Sequence, residues 1–188
     1  EHLGGKVVFC DINLDTFNLD LSQIEDKITT KTKVILPVHL FGLPVEMDPI
    51  IKLSKKYNLK IIEDAACGFG SYYKGKHVGN FGDTGCFSFH PRKSITTGEG
   101  GMITTQDDKI AEKIRILRDH GASISDLQRH HGPKPYILSD HTEAGYNNRL
   151  TDIQGALGSA QMDRANEILS ERNKIATRYK EEFSKLSW

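Results

Sequence analysis

Short β-branched runs alternate along the chain with longer stretches whose apolar residues recur at helical spacing. Lys6-Val-Val-Phe-Cys10 reads as a buried strand, Leu19 to Ile28 as a short helix and Val34-Ile-Leu-Pro-Val38 as a second strand. Met47, Ile50, Ile51, Leu53, Ser54 and Tyr57 then recur near the helical period, with Asp48-Pro49 at their head supplying a cap and a first-turn proline. This helix runs out at Asn58. Lys60-Ile-Ile-Glu63 follows as a strand whose end delivers Asp64 into a loop of small residues. Gly85 to Phe89 and Gly101 to Thr105 predict two more strands, close enough in sequence to be neighbours, and Asp107 to Arg118 predicts a helix with Asp107 or Asp108 near its N-terminus. The pattern is α/β, a mostly parallel sheet flanked by helices.

The rhythm breaks between Gly121 and Tyr146, where Gly132-Pro133-Lys134-Pro135 and many polar groups predict an irregular excursion rather than a linker. A helix resumes at Thr151 with Asp152 in its first turn. Its small residues Gly155, Ala156, Gly158, Ser159 and Ala160 predict close helix packing, and the helical pattern continues, with room for a bend, through Arg164 to Phe183. No internal repeat or low-complexity segment is present.

Composition narrows the function classes. Of 188 residues 37% are apolar and 27% charged, enough for a packed core. The 25 basic and 25 acidic side chains cancel, so the chain lacks the positive field that drives binding to nucleic acid. Apolar runs such as Val7 to Cys10 fall far short of the roughly 20 residues needed to cross a bilayer. Cys10, Cys67 and Cys86 are an odd set at wide spacing, which fits a reducing cytoplasm better than a disulfide framework or a zinc site. The adjacent His130 and His131 read as solvated loop residues rather than metal ligands.

The end of an open α/β strand is where such sheets place their ligands, although Asp64 alone reads more readily as a cap or turn residue. The stretch Gly85-Cys-Phe-Ser-Phe-His-Pro-Arg-Lys-Ser-Ile-Thr-Thr-Gly-Glu-Gly-Gly101 changes that balance. A pyridoxal enzyme needs an amine for a Schiff base, a carboxylate to keep the pyridine nitrogen protonated and donors for the phosphate. Lys93, Asp64 and Ser88 are the right chemical types.

Ile61-Ile-Glu-Asp-Ala-Ala, Tyr73-Lys-Gly-Lys-His-Val-Gly, Phe81-Gly-Asp-Thr-Gly-Cys-Phe-Ser-Phe, Lys93 and Gly98-Glu-Gly-Gly101 stand in the order and spacing of one family. Pro37-Val-His-Leu-Phe-Gly42 and Gly145-Tyr-Asn-Asn-Arg-Leu-Thr-Asp-Ile-Gln-Gly155 match as well. The chain thus resembles the DegT family of sugar aminotransferases, in the fold-type-I group of pyridoxal enzymes. The resemblance implies that Lys93 forms the Schiff base with pyridoxal 5'-phosphate, Asp64 pairs with its ring nitrogen and Ser88 binds its phosphate. It further implies that Asn147 reaches the phosphate of the neighbouring subunit of a homodimer.

Arg149 reads either as a neighbour of that site or as a solvated arginine. Cys67 stands where many relatives carry Gln or His. A thiol is a weak donor, and the reading of a small buried cysteine is at least as strong, so Cys67 stays outside the catalytic set. The reaction implied is transfer of an amino group, from a donor such as glutamate, to a nucleotide-linked keto-sugar, in the synthesis of amino sugars for surface polysaccharide or related glycans. A sugar dehydratase of the same fold, in which histidine replaces the lysine, and a noncatalytic family member are the alternatives. Lys93 speaks against the first, and Lys93 and Asp64 together speak against the second. The family implies a chain incomplete at both ends, with residues 1–165 a portion of the cofactor-binding large domain and 166–188 a helix leading toward an absent C-terminal domain.

Overall fold

A computed structural model describes residues 2–124, 130–134, 136 and 138–186. A 3-10 turn, Leu21–Gln23, leads into α1 (Ile24–Lys27), followed by β1 (Val34–Ile35), α2 (Met47–Tyr57) and β2 (Lys60–Asp64). A hairpin of β3 (Tyr72–Tyr73) and β4 (Lys76–His77) precedes β5 (Thr84–Ser88) and β6 (Gly101–Thr104). The helices α3 (Asp108–Arg118), α4 (Asp152–Asp163) and α5 (Ala165–Phe183) complete these elements. The main sheet has the order β1-β2-β5-β6, with β1, β2 and β5 parallel and β6 antiparallel to β5. This is the α/β, mostly parallel arrangement that the sequence pattern predicts.

Local chemistry explains most boundaries. Asn58 ends α2 in the left-handed conformation that asparagine tolerates. Asp107 caps α3 by accepting from the backbone N–H groups of Lys109 and Ile110. Thr151 and Gln154 form a capping box at the start of α4, and the ladder breaks at Arg164 before α5. Gly158 packs close to Thr97, whereas Gly155 faces open space, so only part of the small-residue stripe is used for close approach.

Three expectations need correction. Residues 6–10 form no strand: Val7, Val8 and Phe9 are exposed, because strand propensity does not supply a neighbouring edge to pair with. The strand expected over Val34 to Val38 pairs at Val34 and Ile35 and again at Val38 opposite Asp64, with Pro37, which has no N–H to donate, in the gap. Asp48 does not cap α2. The N-cap is Glu46, with no side-chain bond, and Asp48 lies inside the first turn, where Lys74 pairs with it. The excursion after α3 is irregular but tied together, by Ser123 N–H to Asp140 O and Thr142 N–H to Gly121 O among others. Its residues 125–129, 135 and 137 lie outside the described residues, as do 187 and 188.

The core lies between α1, α2 and one face of β1 and β2, built from Ile24, Ile35, Val45, Met47, Ile50, Leu59 and Ile61. Strand alternation puts Glu63 on the same face as Ile61, with its side chain fully buried. Its Oε1 accepts from the N–H groups of Phe81 at 2.6 Å and Gly82 at 2.7 Å. Its Oε2 accepts from Gly79 N–H at 2.7 Å and from His39 Nε2 at 3.0 Å. The chain can approach this closely only because two residues lack side chains. A Cβ on Gly85 would fall 2.3 Å from Gly79 Cα, and one on Gly79, at φ +81, would fall 2.5 Å from Phe87 Cζ.

Burial works to raise the Glu63 pKa, but the His39 hydrogen bond and the three backbone donors outweigh it and hold the carboxyl below its ordinary value of 4.5. A carboxylate shifted this way stabilises the fold above its unfolded-state pKa and loses that contribution as pH falls through the folded one. In Glu63→Gln an amide NH2 must face N–H donors whichever way it is turned, which costs about 3 kcal/mol at neutral pH. Urea midpoints of the full-length protein should show that difference at pH 7, and it should shrink as pH falls below about 4.5. A difference independent of pH would contradict the assignment.

Candidate active site

The parallel strands β2 and β5 end at the same edge of the sheet, and the candidate residues gather there. Asp64, the last residue of β2, is in register with Cys86, and Ser88 lies two positions further along β5. Alternation therefore places Asp64, Cys86 and Ser88 on one face and Glu63, Gly85 and Phe87 on the other. The backbone of Asp64 is held to the segment after β1 by its N–H to Pro37 O at 2.9 Å and by His39 N–H to its own carbonyl at 3.0 Å. Its carboxylate accepts from Ala66 N–H at 3.0 Å and has no ion pair among the described residues. The adjacent Cys86 thiol is pushed up by burial and by the Asp64 charge, so it stays uncharged beside the carboxylate.

Lys93 sits on the connection between β5 and β6, folded back by Lys93 N–H to His90 O and Thr97 N–H to Phe89 O. Ile95 and Thr97 anchor this connection by burial, and α4 holds it through Gln161, which accepts from Thr96 N–H, and Gln154, which donates to Glu99 O. The Lys93 amine lies 3.0 Å from Cys67 Sγ and has no carboxylate partner among the described residues. The Ser88 hydroxyl accepts from His90 N–H at 3.4 Å. A carboxylate, a hydroxyl and an amine without a carboxylate partner among the described residues thus lie toward one edge of the sheet.

Other cations are placed differently. Lys74 pairs with Asp48, Lys76 lies over the Phe81 ring, and Arg92 is exposed. Asn147 bridges to Asp119 beside the end of α3, and no hydrogen bond among the described residues joins it to Asp64, Ser88 or Lys93. Arg149 pairs with Asp119 at 2.9 Å and also approaches His120, so it is not simply solvated. His130 and His131 are exposed, and the described residues contain no group of three or more His, Cys, Asp or Glu side chains able to hold a metal ion. A groove of about 610 Å³ between β5, β6 and α4 is lined by Phe87, Met102 and Thr104, on the sheet face opposite Asp64 and Ser88. No helix among the described residues is long and apolar enough to cross a membrane.

Two features escaped the sequence reading. Cys67 is exposed rather than buried, and it touches Lys93 across 26 positions of sequence. His39 and Glu63 form a fully buried pair behind Asp64. The signal for the second was available: in Lys60-Ile-Ile-Glu-Asp64, alternation that points Ile61 inward also points Glu63 inward, and a buried carboxylate requires donors.

The donor set suits pyridoxal 5'-phosphate: a carboxylate for a ring nitrogen, a hydroxyl for a phosphate and an amine for an aldehyde. Relatives support a common ancestry with enzymes of that kind. The GDP-perosamine synthase of Caulobacter vibrioides is 42% identical over 185 residues, covering 98% of this chain and 47% of that protein. Among solved structures, Helicobacter pylori PseC, an aminotransferase involved in the biosynthesis of pseudoaminic acid, superposes with a TM-score of 0.90 at 33% identity, covering 100% of this chain and 48% of that one. The sugar aminotransferase Spr1654 of Streptococcus pneumoniae, described as putative, superposes in its PLP-form with a TM-score of 0.85 at 32% identity, over 98% of this chain and 50% of that one. The chain spans about half the length of the curated relatives it matches. The profile of the DegT/DnrJ/EryC1/StrS aminotransferase family matches residues 1–188, and the chain belongs to that family.

Proposed function

We propose that this chain is the cofactor-holding part of a pyridoxal-phosphate-dependent aminotransferase that converts a nucleotide-linked keto-sugar to an amino sugar, with glutamate or a similar amino acid as donor. The observation that carries the reading is the convergence of Asp64, Ser88 and the amine of Lys93 at one sheet edge, with Lys93 turned back onto the loop that follows Asp64. Bound there, the cofactor supplies an electron sink for the bonds at the amino carbon. Asp64 keeps a proton on the ring nitrogen, since an anionic acceptor beside that atom favours its charged form. The Ser88 hydroxyl donates to the phosphate. Lys93 Nζ would hold the aldehyde carbon, and as a free amine it would be the base that moves a proton at the amino carbon.

In the same reading Asn147 serves the phosphate of a neighbouring subunit. Its distance in sequence from Ser88 and its separate placement beside α3 fit donation in trans better than service to its own site. Residues 1–165 then form the cofactor-binding portion, and 166–188 lead out of it. Leu169 packs against Gly70, while Ile175, Tyr179 and Phe183 further along α5 expose apolar surface for a following domain. A cytoplasmic location fits the three free cysteines, and the even charge balance fits a small-molecule substrate rather than nucleic acid.

Full-length enzyme incubated with glutamate and a panel of nucleotide keto-sugars should yield an amino sugar detectable by mass. Asp64→Asn should stay folded and bind cofactor while turnover falls by about a hundredfold or more. Near-normal turnover in that variant would remove Asp64 from its role.

The trans assignment predicts complementation. Asn147→Ala and Lys93→Ala subunits, each inactive alone, should regain activity on mixing, approaching about a quarter of the wild-type level for random exchange in a symmetric dimer. Mixed dimers without any rescue would show that Asn147 does not act across the interface.

A further inference from the structure

The proposed chemistry leaves a fully buried histidine–glutamate pair unexplained. A buried ion pair is weak evidence of stabilisation, because apolar residues of similar volume often serve packing as well. The connections of this pair point elsewhere. His39 Nδ1 accepts from Val45 N–H at 3.1 Å, which fixes the ring with its proton on Nε2, donating to Glu63 at 3.0 Å. The backbone N–H of the same His39 donates to the carbonyl of Asp64. One residue therefore grips Asp64 directly through the main chain and its predecessor, Glu63, through the side chain. Besides that bond the Asp64 backbone donates to Pro37 O, two residues before His39, and the Asp64 carboxylate has a single local bond, to Ala66 N–H, among the described residues. Where the carboxylate points is set by where its backbone lies.

We infer that His39 is a positioning residue: through Glu63 and the Asp64 backbone it aims the Asp64 carboxylate at the cofactor ring nitrogen. The inference rests on the reading of Asp64 given above. Glu63 serves as the relay, because its remaining acceptor sites are taken by Gly79, Phe81 and Gly82, which leaves the strand end little room to shift. Loss of the His39 donor frees one carboxylate lone pair in a dry site and lets the end of β2 relax.

Two variants of the full-length holoenzyme separate positioning from simple stabilisation. His39→Gln puts an amide N–H near the place of Nε2 and gives up the acceptor for Val45. His39→Asn keeps an acceptor near the place of Nδ1 and gives up the donor to Glu63. A purely structural histidine predicts similar losses of melting temperature for both and unchanged cofactor behaviour. Positioning predicts that the apoenzyme of the Asn variant binds pyridoxal phosphate about fivefold to tenfold more weakly, while the Gln variant stays near wild type. The pH titration of the bound cofactor's visible absorbance should shift in the Asn variant in the same direction as in Asp64→Asn.

Wild-type affinity and titration in both variants, or equal changes in both, would overturn the inference. If the Asn variant does not fold, Glu63→Gln carries the same test, with weaker binding and a shifted titration expected and wild-type values overturning it. An unshifted titration in Asp64→Asn itself would instead remove the reading of Asp64 on which the inference stands, and the inference with it.

Discussion

The buried carboxylate of Glu63 is the constraint on which the site depends. Four donors meet it, three from the backbone between Gly79 and Gly82 and one from His39. They join segments that sequence keeps far apart, so that β2, the loop before β5 and the segment after β1 share one anchor. An anion in a dry core is tolerable only when its acceptor sites are filled, so each segment is placed by the cost of leaving it. Gly79 and Gly85 follow from the same requirement, because side chains at either position would fill the space the loop needs.

Strand alternation turns this anchor into a functional device. With Glu63 fixed to the core face, Asp64 must emerge on the opposite face, at the end of a parallel strand, beside Cys86 and in line with Ser88. Lys93 arrives from a different direction, on a connection held by Ile95, Thr97 and the side chains of α4. Two independent supports therefore bring the loop that follows the carboxylate and the segment that carries the amine together, and they meet at the 3.0 Å contact between Lys93 and Cys67. That contact places a soft, weakly accepting thiol beside the amine rather than a competing carboxylate.

Much of this was legible in the sequence, for reasons that differ by element. α2 and α3 follow from helical spacing and from Asn58 and Asp107, whose effects are local. Asp64 and Ser88 were readable because strand ends and motif spacing are local too. The resemblance to a known family supplied the roles proposed for them. The cap of α2, expected at Asp48 and found at Glu46, is a local miss of two residues, and the larger failures are tertiary. Lys6-Val-Val-Phe-Cys10 has the composition of a strand but no edge to pair with among the described residues. Cys67 was left between a weak donor and a small buried cysteine, because the turn that brings Lys93 back to it can be seen only in three dimensions. His39 and Glu63 are separated by 24 positions, and no local pattern pairs them, although the inward register of Glu63 gave notice that donors were required.

The measurement that bears most directly on the central claim is covalent trapping of the cofactor. Borohydride reduction of the full-length holoenzyme, followed by peptide mapping, should place the pyridoxyl group on Lys93. In the proposed reading the Lys93 amine, which has no carboxylate partner among the described residues, holds the cofactor, whereas Lys74 is paired with Asp48 and Lys76 lies over Phe81. A label on Lys74 or Lys76, with Lys93 unmodified, would contradict the account.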